Sequence, residues 1–251
     1  MRTPPTIENA TDDARPRPAV DPTEAHSVRL KPLRDKPEGT LVVHEIYRSV
    51  QGESTFAGLP CVFVRLTACH LRCVYCDTPH AFRQGETLAL DEVVARALDF
   101  GDALVEITGG EPLLQPEVYP LMTRLADAGR TVLLETSGGV DTAQVDPRVH
   151  IILDLKTPGS GEVEANVWAN LDRLKPTDEV KVVVCDRADF DWAVAQVVAH
   201  RLTERCPVLF SPVFGRVTPT ELAEWILESR LPVRLQVQLH KILWDPQARG
   251  V

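Results

Sequence analysis

Three cysteines lie close together in the sequence CHLRCVYC, at Cys69, Cys73 and Cys76. Thiolates at this spacing on one irregular loop can converge on a single centre, and thiolate ligands select zinc, copper(I) or iron-sulfur clusters. A structural zinc site takes four ligands, and only His70 and His80 are nearby as a fourth. A closed electron-transfer cluster needs four cysteines. Three thiolates alone therefore favour an iron-sulfur cluster with one iron open to another ligand.

The other three cysteines sit in apolar surroundings. Cys61 begins the run CVFVRL, Cys185 ends VKVVVC, and Cys206 precedes PVLFS. In a reducing cytosol, six cysteines fit one metal site plus scattered core thiols better than three disulfides. We therefore predict that these three residues are small buried hydrophobic side chains.

Composition limits the class of protein. A chain of 251 residues with 44% hydrophobic content can bury the core of one large domain. The net charge of −9 and the lack of a dense Lys/Arg stripe disfavour nucleic-acid binding. No apolar run approaches the roughly eighteen residues that cross a bilayer, and the N-terminus lacks the apolar segment of a secretory signal. The sequence therefore predicts a cytoplasmic protein with no membrane or nucleic-acid partner.

The first forty residues differ from the rest of the chain. Residues 1–40 hold seven prolines, seven Lys/Arg and seven Asp/Glu, with almost no apolar periodicity. Such a segment buries too little apolar surface to offset the entropy of ordering it. We predict a flexible, disordered N-terminal extension over 1–40 and one catalytic domain over 41–251.

The rest of the chain alternates between short apolar runs and amphipathic stretches. Eight runs predict strands, at residues 41–47, 61–66, 103–107, 131–135, 149–155, 179–184, 207–211 and 233–239. Amphipathic spacing predicts helices at residues 90–100, 116–129, 189–205 and 219–230. This alternation predicts an α/β fold with a mainly parallel sheet, either open or closed into a barrel. Because fewer than eight strand-helix units are visible, we expect a partial, modified (βα)-barrel.

Three polar turns follow predicted strands. They are EITGGEPLLQP at 106–116, ETSGG at 135–139 and DLKTPG at 154–159. The two glycines of the first turn would let the backbone approach a ligand closely. The carboxyl ends of parallel strands are where α/β folds place their ligand sites, so these turns and the cysteine loop are expected to share one site.

The cysteine loop, with an aromatic residue before its third cysteine, resembles the signature loop of radical S-adenosylmethionine enzymes. The resemblance implies that Cys69, Cys73 and Cys76 bind a [4Fe-4S] cluster whose open iron is chelated by S-adenosylmethionine. GGEP resembles the site of the cofactor's methionine amino group in that family. Carried over to this sequence, the residues that contact the cofactor are Tyr75, Asp77, Gly109, Gly110, Glu111, Ser137, Asp154, Lys156, Ser211 and Pro212.

The run EIYRSVQGESTFAGLPCVFVRL followed by CxxxCxxCDT, together with QLHKIL at 238–243, closely resembles the 7-carboxy-7-deazaguanine synthase family over about residues 41 to 246. By this resemblance, the hydroxyl of Thr78 ligates a Mg²⁺ that also touches the substrate, which suits the oxygen preference of magnesium. The residues that contact the pterin substrate are Gln51, Gly52, Glu53, Arg65, Thr108 and His240.

The same resemblance implies the reaction. An external one-electron reductant such as flavodoxin or ferredoxin drives the cleavage of S-adenosylmethionine. The resulting radical abstracts the C6 hydrogen of 6-carboxy-5,6,7,8-tetrahydropterin, and ring contraction with loss of ammonia gives 7-carboxy-7-deazaguanine. Nothing in the sequence selects a protein general acid or base, although Glu135 and Asp77 are candidate proton carriers. The family also implies a homodimer.

Two other functions share some of these motifs. A radical activase that forms a glycyl radical on a protein partner would have the cysteine triad and GGE, but it gives no reason for QGE and QLHKIL. A zinc-stabilised binding module would use the cysteines without catalysis. Two features depart from the family, namely the extension over 1–40 and the continuation of the chain past Pro246, where some relatives end with a carboxylate at the substrate.

Overall fold

The computed structural model describes residues 27–251. The first 26 residues, which form most of the predicted extension, lie outside the described residues. The strands are β1 (Thr40–Val50), β2 (Pro60–Leu66), β3 (Glu86–Ala89), β4 (Leu104–Gly109), β5 (Thr131–Thr136), β6 (His150–Asp154), β7 (Glu179–Val184), β8 (Val208–Pro212) and β9 (Arg234–Leu235). The α-helices that cover them are α1 (Leu90–Asp99), α2 (Val118–Asp127), α3 (Arg187–Ala199) and α4 (Pro219–Ser229), followed by the one-turn helix α5 (His240–Leu243).

The strands form one open sheet in the order β3-β1-β2-β4-β5-β6-β7-β8-β9. From β2 to β9 all neighbours are parallel, whereas β1 runs antiparallel to both β2 and β3. The register places Arg65 opposite Thr108 and Asp154 opposite Lys181. The prediction of an α/β fold with a mainly parallel sheet and a partial barrel is confirmed.

Alternation along the strands gives the sheet two different faces. On β2, Val62, Val64 and Leu66 belong to the large core that packs under the helices. Cys61 and Phe63 point to the opposite face and belong to a smaller apolar cluster with Leu104, Leu133 and Ile152. We call the face that carries Cys61 and Phe63 the inner face of the sheet. Because side chains alternate between faces in a strand, the inner face can carry polar residues above this smaller cluster without disturbing the main core.

The four longer helices, α1 to α4, form where the sequence predicts them, whereas the one-turn helix α5 was not predicted. Helix α1 has Asp91 and Glu92 in its first turn, where carboxylates interact favourably with the helix dipole. Helix α4 begins with a capping box, in which the Thr218 hydroxyl accepts from the backbone of Glu221 and the Glu221 carboxylate accepts from that of Thr218. Helix α3 ends at Ala199, earlier than predicted, because Arg201 adopts the left-handed region with φ 52°.

Two strands differ from the prediction. Strand β3 was not predicted. This edge strand has four residues, of which only Leu88 is buried, and so few residues show no hydrophobic periodicity. The predicted strand 233–239 shortens to the two residues of β9, because beyond Leu235 the chain bends so that Gln236 and Gln238 reach Glu53. The predicted buried cysteines are confirmed, with Cys61, Cys185 and Cys206 at most 7% exposed.

The described part of the predicted extension contacts the rest of the chain. Arg29 donates from Nη1 to the carbonyl of His70 in the cysteine loop, at 2.6 Å. Lys36 forms an ion pair with Glu117, which also accepts from the backbone amide of Gly39 at 3.0 Å. The boundary at residue 40 stays a prediction. No helix within residues 27–251 is both long and apolar enough to span a membrane.

Candidate active site

A cavity of about 530 Å³ opens on the inner face of the sheet and extends to the carboxyl ends of the parallel strands. It is lined by the cysteine loop, the turns after β4, β5 and β6, the loop between β1 and β2, and the C-terminal segment. Every residue that the sequence predicts to bind the cluster, the cofactor, magnesium or the substrate lines this cavity, with the exception of Glu111.

The cysteine loop is held at the top of β2 by the turn after β4. Gly110 donates its backbone N–H to the carbonyl of Leu66 at 3.1 Å, and Glu111 donates to that of Ala68 at 2.9 Å. Burial raises the pKa of the Cys69 thiol to about 12 and also raises the pKa values of Cys73 and Cys76. Thiols of this kind become ligands only when a metal displaces their protons.

The double glycine allows a close approach that no other residue permits. A Cβ added to Gly110 would lie 2.2 Å from the carbonyl oxygen of Ala68 and 2.7 Å from Cβ of Cys69. Gly109 has φ 147°, and a Cβ there would lie 2.2 Å from the carbonyl oxygen of Leu66. The turn is therefore pressed directly against the base of the cysteine loop.

Glu111 lies behind the cavity wall and is fully buried. Its carboxylate accepts from the backbone amides of Leu113 at 3.0 Å and Ser137 at 2.7 Å, and from the hydroxyls of Thr136 and Ser137. Burial raises its pKa although these hydrogen bonds oppose the shift. In this structure Glu111 joins the turns after β4 and β5 and so fixes Ser137, which does line the cavity.

Two buried polar atoms without hydrogen bonds lie at the end of the cavity near the cysteine loop. The hydroxyl of Tyr75 and the Oδ1 atom of Asp154 are buried with no hydrogen bond among the described residues. Lys156 pairs with Asp154 Oδ2 at 2.7 Å and lies 5.9 Å from the centre of the Tyr75 ring. Buried polar groups normally have partners, so these two atoms are suited to a polar ligand. Ser211 and Pro212, at the end of β8, complete this wall.

The other end of the cavity is built by the loop between β1 and β2. Glu53 pairs with Lys181 at 3.0 Å and accepts from the amides of Gln236 at 3.0 Å and Gln238 at 2.8 Å. Gln51 is 3% exposed, and its Oε1 accepts from the backbone amide of Glu53 at 2.7 Å. These contacts tie the loop to β7 and to the C-terminal segment.

Arg65 projects into the cavity from the penultimate position of β2. Its Nε donates to Glu45 Oε1 at 2.8 Å, and its Nη2 donates to the Tyr47 hydroxyl at 2.9 Å. Both partners come from β1, which pairs with β2 in antiparallel register. The guanidinium is thereby fixed in direction while retaining further N–H donors for an anionic group.

His240 closes the cavity beside Gly52. Leu239 donates its backbone N–H to the carbonyl of Gly52 at 3.0 Å. A Cβ added to Gly52 would lie 2.8 Å from Nδ1 of His240, so glycine is what allows the histidine to sit there. Asp77, next to the third cysteine, accepts at 3.0 Å from both Gln238 and Lys241 and so connects the cysteine loop to this segment.

Sequence reasoning missed two charged residues of the inner face, Lys181 and Glu106. Lys181 on β7 contacts Glu135 on β5 and lies 4.0 Å from Asp154. Burial lowers the pKa of Lys181, but the surrounding carboxylates outweigh it and hold that pKa well above its usual value. Glu106, on β4, is also buried in the cavity. A single charge inside an apolar strand such as EVKVVV or LVEI was the signal, because a buried charge needs a polar partner.

The segment past Pro246 also reaches the cavity. Pro246 and residues 248–251 are among its lining residues, next to Glu45 and His80. The C-terminal residues therefore form part of the rim of the cavity.

Residues 64–193 match the profile of the radical SAM superfamily. Together with the open parallel sheet and the cysteine loop at its carboxyl end, this match places the chain in the class of radical S-adenosylmethionine enzymes. Within that class, the chain belongs to the 7-carboxy-7-deazaguanine synthase family, because proteins of that name are 46% and 48% identical to it over more than four fifths of its length.

The family assignment depends on close relatives. A 7-carboxy-7-deazaguanine synthase from Chlorobaculum tepidum is 48% identical over 217 residues, which cover 85% of this chain and 99% of that protein. One from Koribacter versatilis is 46% identical, covering 83% and 99% respectively. A crystal structure of QueE from Escherichia coli has the same fold, with a TM-score of 0.64, 24% identity, and coverage of 79% of this chain and 94% of that one.

Proposed function

We propose that this enzyme converts 6-carboxy-5,6,7,8-tetrahydropterin to 7-carboxy-7-deazaguanine with loss of ammonia, as a step in queuosine and deazapurine biosynthesis. The observation that carries the proposal is one cavity in which three cysteines face the same space as Gln51 and Arg65. The names of the relatives support the product.

The donor set at the top of the cavity fits a [4Fe-4S] cluster and S-adenosylmethionine. Cys69, Cys73 and Cys76 would hold the cluster, and the buried atoms of Tyr75 and Asp154 that make no hydrogen bond suit the adenosine part of the cofactor. When bound, these groups supply the one-electron chemistry that removes a hydrogen atom from the substrate.

At the substrate end, the chain's own residues bind and orient. Arg65 would pair with the pterin carboxylate, because a guanidinium matches a carboxylate in shape and charge. Gln51 and Glu53 would meet the amide and amino edge of the pterin, which presents both donors and acceptors. The ion pairs around Lys181 hold Glu53 in place before substrate arrives, so less ordering is required on binding.

Thr78 is proposed to ligate Mg²⁺. Its hydroxyl lines the cavity and lies 3.9 Å from Sγ of Cys76, between the cofactor end and the substrate end. Magnesium prefers oxygen donors and keeps several waters. A threonine hydroxyl, a substrate carboxylate and waters would satisfy that preference.

Two partners belong to the same proposal. The reaction needs an external one-electron reductant, for which flavodoxin or ferredoxin is suitable, and the family resemblance favours a homodimer. A cytoplasmic location also stays a prediction.

The product assay tests the function directly. Anaerobically purified protein, given a reductant, S-adenosylmethionine, Mg²⁺ and 6-carboxytetrahydropterin, should form 7-carboxy-7-deazaguanine, detected by mass spectrometry. Iron analysis should give about four irons per chain. Absence of product from protein with an intact cluster would refute the reaction, and a colourless protein with stoichiometric zinc would favour a binding module.

A further inference from the structure

Glu106 is a carboxyl group in an unusual place. It lies in the middle of β4, between the core residues Val105 and Ile107, and it faces the inner side of the sheet. It is 3% exposed and lines the cavity. Phe63 on β2 and Leu133 on β5, which flank Glu106 on the two neighbouring strands, belong to the apolar cluster beneath the cavity. The carboxyl group therefore stands at the boundary between an apolar floor and the proposed substrate site.

The direct partner of Glu106 is the side chain of Gln51. Gln51 Oε1 accepts from the backbone amide of Glu53 at 2.7 Å, which fixes the direction of the amide group. Gln51 Nε2 therefore turns toward Glu106 and donates to its Oε2 atom. The amide retains one N–H and one carbonyl lone pair that neither contact uses.

The nearby cations are already paired with other acids. Lys181 pairs with Glu53 and Glu135, and Arg65 pairs with Glu45. Within the described residues, no lysine, arginine or histidine forms an ion pair or hydrogen bond with Glu106. The titratable groups that face it are Tyr47 on β1, Cys61 and Arg65 on β2, Glu135 on β5, Lys181 on β7 and Glu53 in the β1-β2 loop.

This environment disfavours an ionised Glu106. Burial raises its pKa well above the usual range, and the negative charges of Glu135 and Glu53 add to the effect, against the opposing charges of Lys181 and Arg65. A further negative charge here would be both desolvated and repelled by its neighbours.

We propose that Glu106 is a neutral carboxylic acid that acts as a positioning residue, locking the amide of Gln51 so that the pterin edge meets a fixed donor and acceptor. The proposal rests on the proposed function, in which Gln51 contacts the substrate. A neutral acid can hold the amide without adding a third negative charge beside Glu53 and Glu135. Glu106, which lies behind Gln51, then determines which hydrogen bonds Gln51 offers to the substrate.

Two neutral variants separate the hydrogen-bond acceptor at position 106 from the volume of the side chain. Glu106→Gln keeps the size, the neutrality and an acceptor for Gln51, so it should keep KM for the pterin within about threefold of wild type. Glu106→Leu removes the acceptor at similar volume and should raise KM about tenfold, with a smaller change in kcat, since one lost neutral hydrogen bond is worth up to about tenfold. If Glu106 acts through Gln51, adding Glu106→Leu to Gln51→Leu should cause no further loss.

The pH profile gives a second readout. A raised pKa means that the neutral form is complete at low pH and is lost as pH rises through that pKa. Wild-type kcat/KM should therefore decline on the alkaline side, and Glu106→Gln should lack that decline. At neutral pH, the infrared difference between wild type and Glu106→Gln should contain the C=O band of a protonated carboxylic acid.

The outcomes are distinct. Glu106→Gln as impaired as Glu106→Leu, an unchanged KM in Glu106→Leu, or absence of the acid band would overturn the proposal. Iron content and circular dichroism show whether each variant is folded. If Glu106→Leu does not fold, the infrared and pH experiments still test the proposal, because they use the nearly isosteric Glu106→Gln. A wild type that makes no product would refute the proposed function while leaving the infrared result as a test of neutrality.

Discussion

Burial sets the chemical state of the individual side chains in this site. Lys181 is almost fully buried yet stays charged, because Asp154, Glu135 and Glu53 surround it. Burial also raises the pKa values of the thiols of the cysteine loop, with which no lysine, arginine or histidine among residues 27–251 forms an ion pair. Burial thus favours the neutral thiol in the cysteine loop, whereas the carboxylates around Lys181 outweigh it and keep that side chain charged.

Cys73→Ala should abolish turnover through loss of the cluster, since two thiolates cannot hold it in place of three. The expected result is loss of the brown colour, with iron per chain falling far below the roughly four of a [4Fe-4S] protein. Cys206→Ala is the matched control, because that thiol is buried in the core away from the cavity. If Cys73→Ala retains full iron and activity, the assignment of this cysteine as a ligand is wrong.

Thr78→Ala should leave the absorbance of the cluster unchanged and lower activity about tenfold or more, because it removes one oxygen ligand from the proposed Mg²⁺. Activity measured against Mg²⁺ concentration should lose its dependence at low millimolar levels or shift to higher concentration. Thr203→Ala, outside the cavity, serves as the control. Full activity with an unchanged magnesium response would contradict the proposed site.

At the scale of elements, the turns at the carboxyl ends of the strands brace one another. The turn after β4 holds the cysteine loop through Gly110 and Glu111, and Glu111 in turn fixes the turn after β5 through Ser137. Three elements far apart in the chain therefore become one rigid support. This arrangement lets a flexible-looking loop present three cysteines in a fixed direction.

Gly110→Ala should disturb this support, because the new methyl group would meet the carbonyl oxygen of Ala68 and Cβ of Cys69 at 2.2 and 2.7 Å. We expect the affinity for S-adenosylmethionine to fall about tenfold and stability to fall by about 1–3 kcal/mol. Equilibrium binding and chemical denaturation measure the two effects.

Gly129→Ala is the control for that change. Gly129 follows α2 with φ 77°, and a Cβ there meets nothing within 4 Å. Its replacement should cost about 1 kcal/mol of stability through backbone strain and leave S-adenosylmethionine affinity unchanged. Equal binding losses in both variants would mean that the close approach at Gly110 has no special importance.

At the scale of the whole molecule, the open sheet is bridged by side chains instead of by strand pairing. The loop after β1 reaches the C-terminal segment through Gln236, whose Oε1 accepts from the backbone of Ser54 at 2.7 Å and whose amide donates to Glu53 at 3.0 Å. The carboxylate of Glu179 on β7 also accepts from Thr55. These bonds close the cavity that the partial barrel leaves open.

Gln236→Ala should loosen this bridge and raise KM for the pterin by about three- to tenfold, because the backbone of Ser54 and the carboxylate of Glu53 each lose a partner. The cluster and its affinity for S-adenosylmethionine should be unaffected. Steady-state kinetics against both substrates separates the two, and Gln196→Ala on α3 is the matched control. A change confined to S-adenosylmethionine binding would contradict the bridging function.

Much of the site could be predicted from short motifs. Each predicted group of site residues is a short contiguous segment of the sequence, and the structure brings these segments to one cavity. They are the cysteine loop, GGEP, QGE and QLHKIL. Glu111 shows the limit, because its motif does not reveal that its carboxylate faces Ser137 behind the wall. Strand β9 shows a second limit, because its length depends on the hydrogen bond between Gln236 and the distant Glu53.

The sequence by itself determined the spacing of the three cysteines proposed as cluster ligands, the strand-helix alternation and the parallel sheet, because local spacing and periodicity encode all three. Only the tertiary structure decided which charges meet. Glu106, Glu135 and Lys181 come from strands separated by dozens of residues, and each run shows a charge without showing its partner. They lie together because the register aligns the inner faces of β4, β5, β6 and β7, and such long-range pairing leaves no mark within any one segment.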